Sequence, residues 1–187
     1  LAGYLDGPST RLIPSEKEDM TRIRLSILAL LLTAGCAAQP PAAVPAAKSV
    51  PSDVDRIEYS VGRCRGTCPA YRFSIASDGI AFFEGEAHTA AMGQSPVVAG
   101  PTLFRSIRDA LAAARPEGAE RSVSAETCTR FYTDQQVVTV EWTGATTRRL
   151  SFDLGCQDEG EAAVRQALSA ARRLMPIDAQ VGRATRF

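Results

Sequence analysis

Four cysteines, Cys64, Cys68, Cys128 and Cys156, constrain what this chain can fold into more than any other feature. An even set of thiols points, if the chain matures in an oxidising compartment, to two disulfides, with three connectivities open. We favour Cys64 with Cys68 and Cys128 with Cys156. Only Arg65-Gly66-Thr67 separates the first two, and in a straight strand they would stand about 13 Å apart, beyond the reach of a bridge. The segment must therefore bend. Gly66 permits the bend, and Pro69 keeps Cys68 extended as the next strand begins. Cys128 and Cys156 flank an expected hairpin, and closing that long loop stabilises the fold by about 3 to 4 kcal/mol on the chain-entropy model.

The fifth cysteine is set apart by what precedes it. Arg22 and Arg24 form a basic start, Leu25 to Ala34 an apolar stretch, and Thr33-Ala34-Gly35-Cys36 a small-residue cleavage site ending in a thiol. Residues 20–35 thus read as a lipoprotein signal peptide that resembles the bacterial kind, with Cys36 the lipidated residue. The apolar run is shorter than the roughly 20 residues that span a bilayer. Diacylglycerol and an N-acyl chain on Cys36 would bury many methylenes at about 0.8 kcal/mol each, so the expected partner is the lipid bilayer and the anchorage stable. Ala37, where Asp would retain such a protein at the inner membrane, suggests the cell envelope at the outer membrane, facing the periplasm. Residues 1–19 carry no apolar period and precede a good initiator, Met20, so they are read as a non-native upstream extension.

Residues 36–53 hold the lipidated cysteine and a Pro/Ala-rich tether, with prolines at 40, 41, 45 and 51 and no aromatic side chain. Extended at about 3.1 Å per residue, it would reach roughly 50 Å from the membrane. Acidic and basic residues balance at 21 each, and removing the leader leaves them balanced. Binding to nucleic acid draws on a basic excess that this chain lacks, so no nucleic-acid partner is expected.

Residues 54–181 should form one globular domain, followed by a tail at 182–187. Ile57, Tyr59 and Val61 alternate with polar neighbours, as do Tyr71, Phe73 and Ile75, and Ser77-Asp78-Gly79 turns the chain into a third strand over Ile80 to Phe83. Glu86 to Gly93 is read as a fourth strand. Pro101 starts a helix with Leu103, Ile107, Leu111 and Ala114 on one face, stopped at Arg115-Pro116. Val138, Val140 and Trp142, then Leu150, Phe152 and Leu154, make a second hairpin with Trp142 in the core. Asp158 and Glu161 resemble a capping box before a last helix bearing Val164, Leu168, Ala171 and Met175. The expected class is α+β: an antiparallel sheet of about five to six strands with two amphipathic helices on one face.

Motifs for catalysis are lacking. The chain offers one histidine, no Gly-x-Ser-x-Gly elbow, no His-Glu-x-x-His and no phosphate-cradling glycine loop. Carboxylates such as Glu58, Asp134 and Asp153 can pair across strands for acid/base work, though strand carboxylates are more often simply solvated. Arg148-Arg149 and Arg172-Arg173 can meet acidic partners. The run Cys64-Arg-Gly-Thr-Cys68-Pro69 also matches the Cys-x3-Cys-Pro of copper chaperones that serve cytochrome oxidase, and two thiolates with His88 and nearby Met92 would suit copper(I). Those chaperones lead from the cysteines into a helix, whereas Pro69-Ala70-Tyr71-Arg72-Phe73 reads as a strand. Copper binding or thiol redox work through Cys64, Cys68 and His88 is therefore the alternative reading. The leading one is a non-enzymatic envelope lipoprotein, without metal or cofactor, whose domain contacts an envelope protein or polymer.

The segment Cys64-Arg-Gly-Thr-Cys-Pro-Ala-Tyr71, followed by Asp78-Gly79 and Phe83-Glu84-Gly85, resembles the bacterial family known as domain of unknown function 6438. Thr133-Asp134 before a strand and Ile177-Asp178 after the last helix also fit its pattern, so the resemblance runs from about Asp55 to Asp178. Ala70 and Arg65 depart from it, where a larger apolar residue and an aromatic are usual. The resemblance implies no activity and no catalytic residue.

Overall fold

In the computed structural model, which describes residues 53–182, alternating apolar side chains from successive strands gather on one face of a single seven-stranded sheet. The signal peptide, Cys36, nearly all of the tether and residues 183–187 lie outside the described residues. The strands are β1 (Val54–Val61), β2 (Ala70–Ala76), β3 (Ala81–Ala87), β4 (Gly93–Val97), β5 (Glu120–Val123), β6 (Val137–Gly144) and β7 (Arg148–Asp153). Their order is β4-β3-β2-β1-β6-β7-β5. Helix α1 (Pro101–Ala110) lies between β4 and β5, while α2 (Ala162–Leu174) and the single turn α3 (Asp178–Val181) follow β7.

Register explains the core. Ile57 stands opposite Ile75 and Trp142, Tyr59 opposite Phe73 and Val140, and Val61 opposite Tyr71 and Val138. Phe73 faces Phe83 on the next strand, and on the other side Val140 and Val138 face Leu150 and Phe152. Because side chains alternate with period two, these pairings stack the paired apolar residues on the same face, while Phe82, opposite Ser74, lies on the other. Phe104 and Ile107 of α1 and Val164, Leu168 and Ala171 of α2 are buried in the same apolar cluster. Across it, the Tyr59 hydroxyl donates to the Leu168 carbonyl at 3.4 Å. Trp142 is fully buried, as expected.

Two strands differ from the expected five or six. The segment β5 is an added strand, parallel to β7, in an otherwise antiparallel sheet. It is short and buries only Val123, so no alternation marks it. The expected fourth strand, Glu86 to Gly93, is displaced: Glu86 and Ala87 extend β3, and β4 begins at Gly93. Residues 89–91 fold back over Gly85, where a Cβ would run into the Ala91 carbonyl and the Thr89 hydroxyl. Pro96 sits within β4 without cost to the ladder, since an edge strand has one side free of partners.

The Asp78-Gly79 turn forms as expected. Gly79 takes φ 92°, its N–H donates to the Ala76 carbonyl at 2.9 Å, and Asp78 Oδ1 accepts from the Ile80 N–H at 2.9 Å. Ile80 itself is 59% exposed and precedes β3 rather than opening it. Helix α1 starts with Pro101 at its first turn, and Phe104 rather than Leu103 is its fully buried first anchor. The Asp158–Glu161 capping box does not form. Glu161 is itself the N-cap of α2 and makes no side-chain cap bond, because its carboxylate pairs with Arg121 at 2.6 Å and Asp158 is engaged elsewhere. Helix α2 ends at Leu174, with Met175 held extended before Pro176.

Candidate functional site

Two regions gather the chain's polar chemistry: the disulfide-bearing end of the sheet and the polar face opposite the core. At the first, Cys64 is bonded to Cys68 and Cys128 to Cys156, each pair with Cα atoms 5.7 Å apart. The favoured pairing is the one observed. The Cys64–Cys68 loop joins β1 to β2, and its bend uses Gly66 at φ 153°.

Gln136 ties this loop to the rest of the fold. Its side chain is buried, and Nε2 donates to the carbonyls of Gly62 and Pro69, each at 2.8 Å, so one amide group holds both ends of the loop. The Gly62 N–H donates in turn to the Val137 carbonyl at 2.8 Å. Arg65 reaches Asp134 at 3.5 Å across exposed surface. Gln136 also accepts, through its carbonyl, the N–H of Leu154 at 3.0 Å, which carries the connection towards Cys156. Phe131 bridges to Cys156, and the Tyr132 N–H donates to the Gly155 carbonyl at 2.9 Å. Segment 128–136 therefore links both disulfides.

Asp158 completes this end. Its carboxylate accepts the N–H groups of Thr129 and Arg130 at 2.9 and 2.8 Å and the Thr129 hydroxyl at 3.0 Å. Those backbone donors hold its carboxyl below the ordinary aspartate value. Asp53, at the end of the expected tether, pairs with Arg115 at 2.7 Å, and that hydrogen bond depresses its pKa likewise.

Tyr71, the last residue of the cysteine-rich segment, is buried beneath α2. Arg172 Nε donates to its hydroxyl at 2.8 Å, the guanidinium lies 5.8 Å from the ring centroid, and Nη2 reaches Asp178 at 2.9 Å. Burial raises the Tyr71 pKa against the opposing pull of Arg172. Burial also acts to lower that of Arg172, but Tyr71 and Asp178 outweigh it and keep the guanidinium above its ordinary value. This contact unites the segment after Cys68 with the Ile177-Asp178 pair more than a hundred residues later.

The polar face is built from the residues that alternate with the core. Glu58 on β1 stands directly opposite Glu141 on β6, a like-charge cross-strand pair that destabilises the sheet unless offset. Cations stand on either side. Arg72 lies 3.0 Å from Glu58 through Nε, an ionic contact in which the N–H is not aimed at the carboxylate, and reaches Glu84 at 2.9 Å and Glu86 at 3.4 Å. Arg149 reaches Glu141 at 4.0 Å. A cavity of about 350 Å³ opens here, lined among others by Glu58, Ser60, Arg72, Thr139, Glu141 and Arg149. Four carboxylates meet two guanidinium groups, all partly exposed to solvent. The face can hold a ligand by fixed charge.

Other expected residues lie apart from both regions. His88 is exposed at φ 55°, and Met92 accepts a contact from the Thr89 hydroxyl at 3.3 Å. Among the described residues, Cys64, Cys68 and His88 do not converge as a three-ligand set; Cys128, Cys156 and Asp158 do, but both sulfurs are bonded to each other and the carboxylate is filled by N–H donors. Of the carboxylates singled out, only Glu58 joins the polar face. Asp134 pairs with Arg65, and Asp153 accepts the Gly155 N–H at 2.8 Å. Of the arginine pairs, Arg149 joins that face, Arg148 donates to the Pro116 carbonyl, and Arg173 donates to Ser169. Glu141, Arg72 and Gln136 were not legible as site residues, because strand pairing alone brings them to their partners. No described helix is long and apolar enough to cross a membrane.

No curated protein matches the chain. The family model described as Domain of unknown function (DUF6438) matches residues 55–175, from within β1 to the end of α2 and including both disulfides, and the chain belongs to that family.

Proposed function

We propose that the chain is a membrane-anchored envelope lipoprotein whose disulfide-stapled domain is a non-catalytic interaction module, binding a protein or polymer of the envelope through the polar face of its sheet. Two disulfides favour folding in an oxidising compartment, in keeping with the signal at residues 20–35 and a lipid on Cys36. The helices α1 and α2 cover the apolar face, leaving the charged one for a partner.

The observation that carries this reading is the opposition of Glu58 and Glu141. The two carboxylates face each other across a central strand pair, partly exposed and countered only from their flanks by Arg72 and Arg149, so a partner's cationic group placed between them adds a favourable contact. Arg72 and Arg149 at the flanks offer matching contacts to anionic groups, so the face suits a ligand of mixed charge such as a peptide-bearing polymer or a protein surface.

The test is capture from envelope extracts with the intact lipoprotein, compared with Cys36→Ser and with Glu58→Gln/Glu141→Gln. The expected result is a partner retained by the native chain and lost from the double variant at higher salt. Equal capture by the native chain and both variants, or none by any of them, contradicts the reading. Loss of membrane attachment in Cys36→Ser checks the anchor separately.

A further inference from the structure

We propose that the Cys64–Cys68 disulfide is a thiol–disulfide exchange site, reduced by a dithiol donor while the surrounding fold, including Cys128–Cys156, stays intact. The inference rests on the loop between β1 and β2 and is independent of what the polar face binds.

First, the fold at the base of the loop is fixed without the bond. Val61 and Tyr71 are paired in the sheet, the Gly62 N–H is bonded to the Val137 carbonyl, and Gln136 bridges Gly62 and Pro69 from a buried position. A bridge spanning so few residues, whose ends are already held, constrains the unfolded chain least, so its loss leaves the native pairing in place. Second, the loop is accessible. Cys64 and Cys68 are both half-buried, and Arg65, Gly66 and Thr67 between them are exposed. The Cys128–Cys156 bond is less open: Cys128 is half-buried, but Cys156 is fully buried in the apolar cluster, bridged to Phe131, and its carbonyl accepts from Arg165 at 3.1 Å.

Third, the two sulfurs are not equivalent. Exposed Arg63 and Arg65 flank Cys64 in sequence, Arg65 being shared with Asp134 at 3.5 Å, and on the charge of these neighbours we assign Cys64 as the leaving group. A donor thiolate therefore attacks Cys68 Sγ, forming a donor–Cys68 bond as the Cys64–Cys68 bond breaks and its electron pair leaves on Cys64. The donor's second thiolate then attacks its own sulfur in the mixed disulfide and releases Cys68 as a thiolate, which takes a proton from water. Two electrons pass. The donor ends as a disulfide and the loop with Cys64 as a thiolate and Cys68 as a thiol.

The full chain, purified from membranes in detergent, is titrated with dithiothreitol, and thiols are trapped by alkylation and assigned by peptide mapping while near-ultraviolet circular dichroism is followed. Cys64 and Cys68 are expected to react roughly tenfold or more faster than Cys128 and Cys156, with the native spectrum retained. Reduction of both pairs together, or only with loss of the spectrum, overturns the proposal. A thioredoxin-type donor whose resolving cysteine is replaced by serine should be trapped on Cys68; trapping on Cys64 overturns the assigned direction. Arg63→Gln/Arg65→Gln should slow reduction severalfold, and an unchanged rate overturns the part given to the arginines.

Discussion

Gln136 and Pro69, far apart in sequence, are joined by an amide-to-carbonyl hydrogen bond of 2.8 Å in a buried setting, and the same Gln136 nitrogen holds Gly62 at 2.8 Å. One side chain just before β6 thereby closes the loop that the Cys64–Cys68 bond spans.

Gln136→Leu keeps the volume but leaves the carbonyls of Gly62 and Pro69 without this donor. A destabilisation of about 1 to 3 kcal/mol is expected, read from the urea midpoint of the purified chain. An unchanged midpoint means the bridge contributes nothing net.

The two disulfides should differ in what they contribute. Cys128→Ser/Cys156→Ser opens the long loop and should cost about 3 to 4 kcal/mol, whereas Cys64→Ser/Cys68→Ser should cost about 2 kcal/mol or less. Equilibrium unfolding of both double variants checks the order. A larger loss from the Cys64 pair would contradict it.

Acid should loosen the Cys128 end. The folded-state pKa of Asp158 is depressed by the Thr129 and Arg130 N–H groups, so its contribution is complete above the ordinary aspartate value and is lost as pH falls through the lower folded value. Stability measured below about pH 4 should therefore fall less steeply in Asp158→Asn than in the native chain, while the two curves run parallel at neutral pH. Equal acid slopes would show that the carboxylate is not bound as observed.

Tyr71 and Arg172 should couple. Arg172 donates to the Tyr71 hydroxyl and lies over its ring. A double-mutant cycle with Tyr71→Phe and Arg172→Met is expected to give an interaction energy of about 1 kcal/mol or more, as for a hydrogen bond from a charged donor. Additive single effects would leave the segment after Cys68 unlinked to α2.

The legible parts of this fold are those written in local periodicity. Ile57, Tyr59 and Val61 alternate, and so do Val138, Val140 and Trp142, because each strand buries one face, and Asp78-Gly79 marks its turn through Gly79's left-handed backbone. The cysteine pairs could be favoured, out of three connectivities, because Gly66 permits the bend that Cys64 and Cys68 need and Cys128 and Cys156 flank one hairpin. What stayed hidden depends on distant partners. The strand β5 buries one residue and is defined by its pairing with β7, and Pro96 disguises β4 as a loop. Asp158 looked like half of a capping box, but two N–H groups near Cys128 compete for it and win. The site shows the same division: Glu58 was a candidate as a strand carboxylate, yet Glu141 and Arg72 reach it only once β1 lies between β2 and β6.

Intact-mass and peptide analysis of the chain extracted from cells, without reduction, bears most directly on the envelope assignment. The expected species begins at Cys36, carries acyl chains there, partitions with membranes and contains the Cys64–Cys68 and Cys128–Cys156 linkages. An unacylated chain still bearing residues 20–35, recovered in the soluble cell fraction with four free thiols, would contradict it.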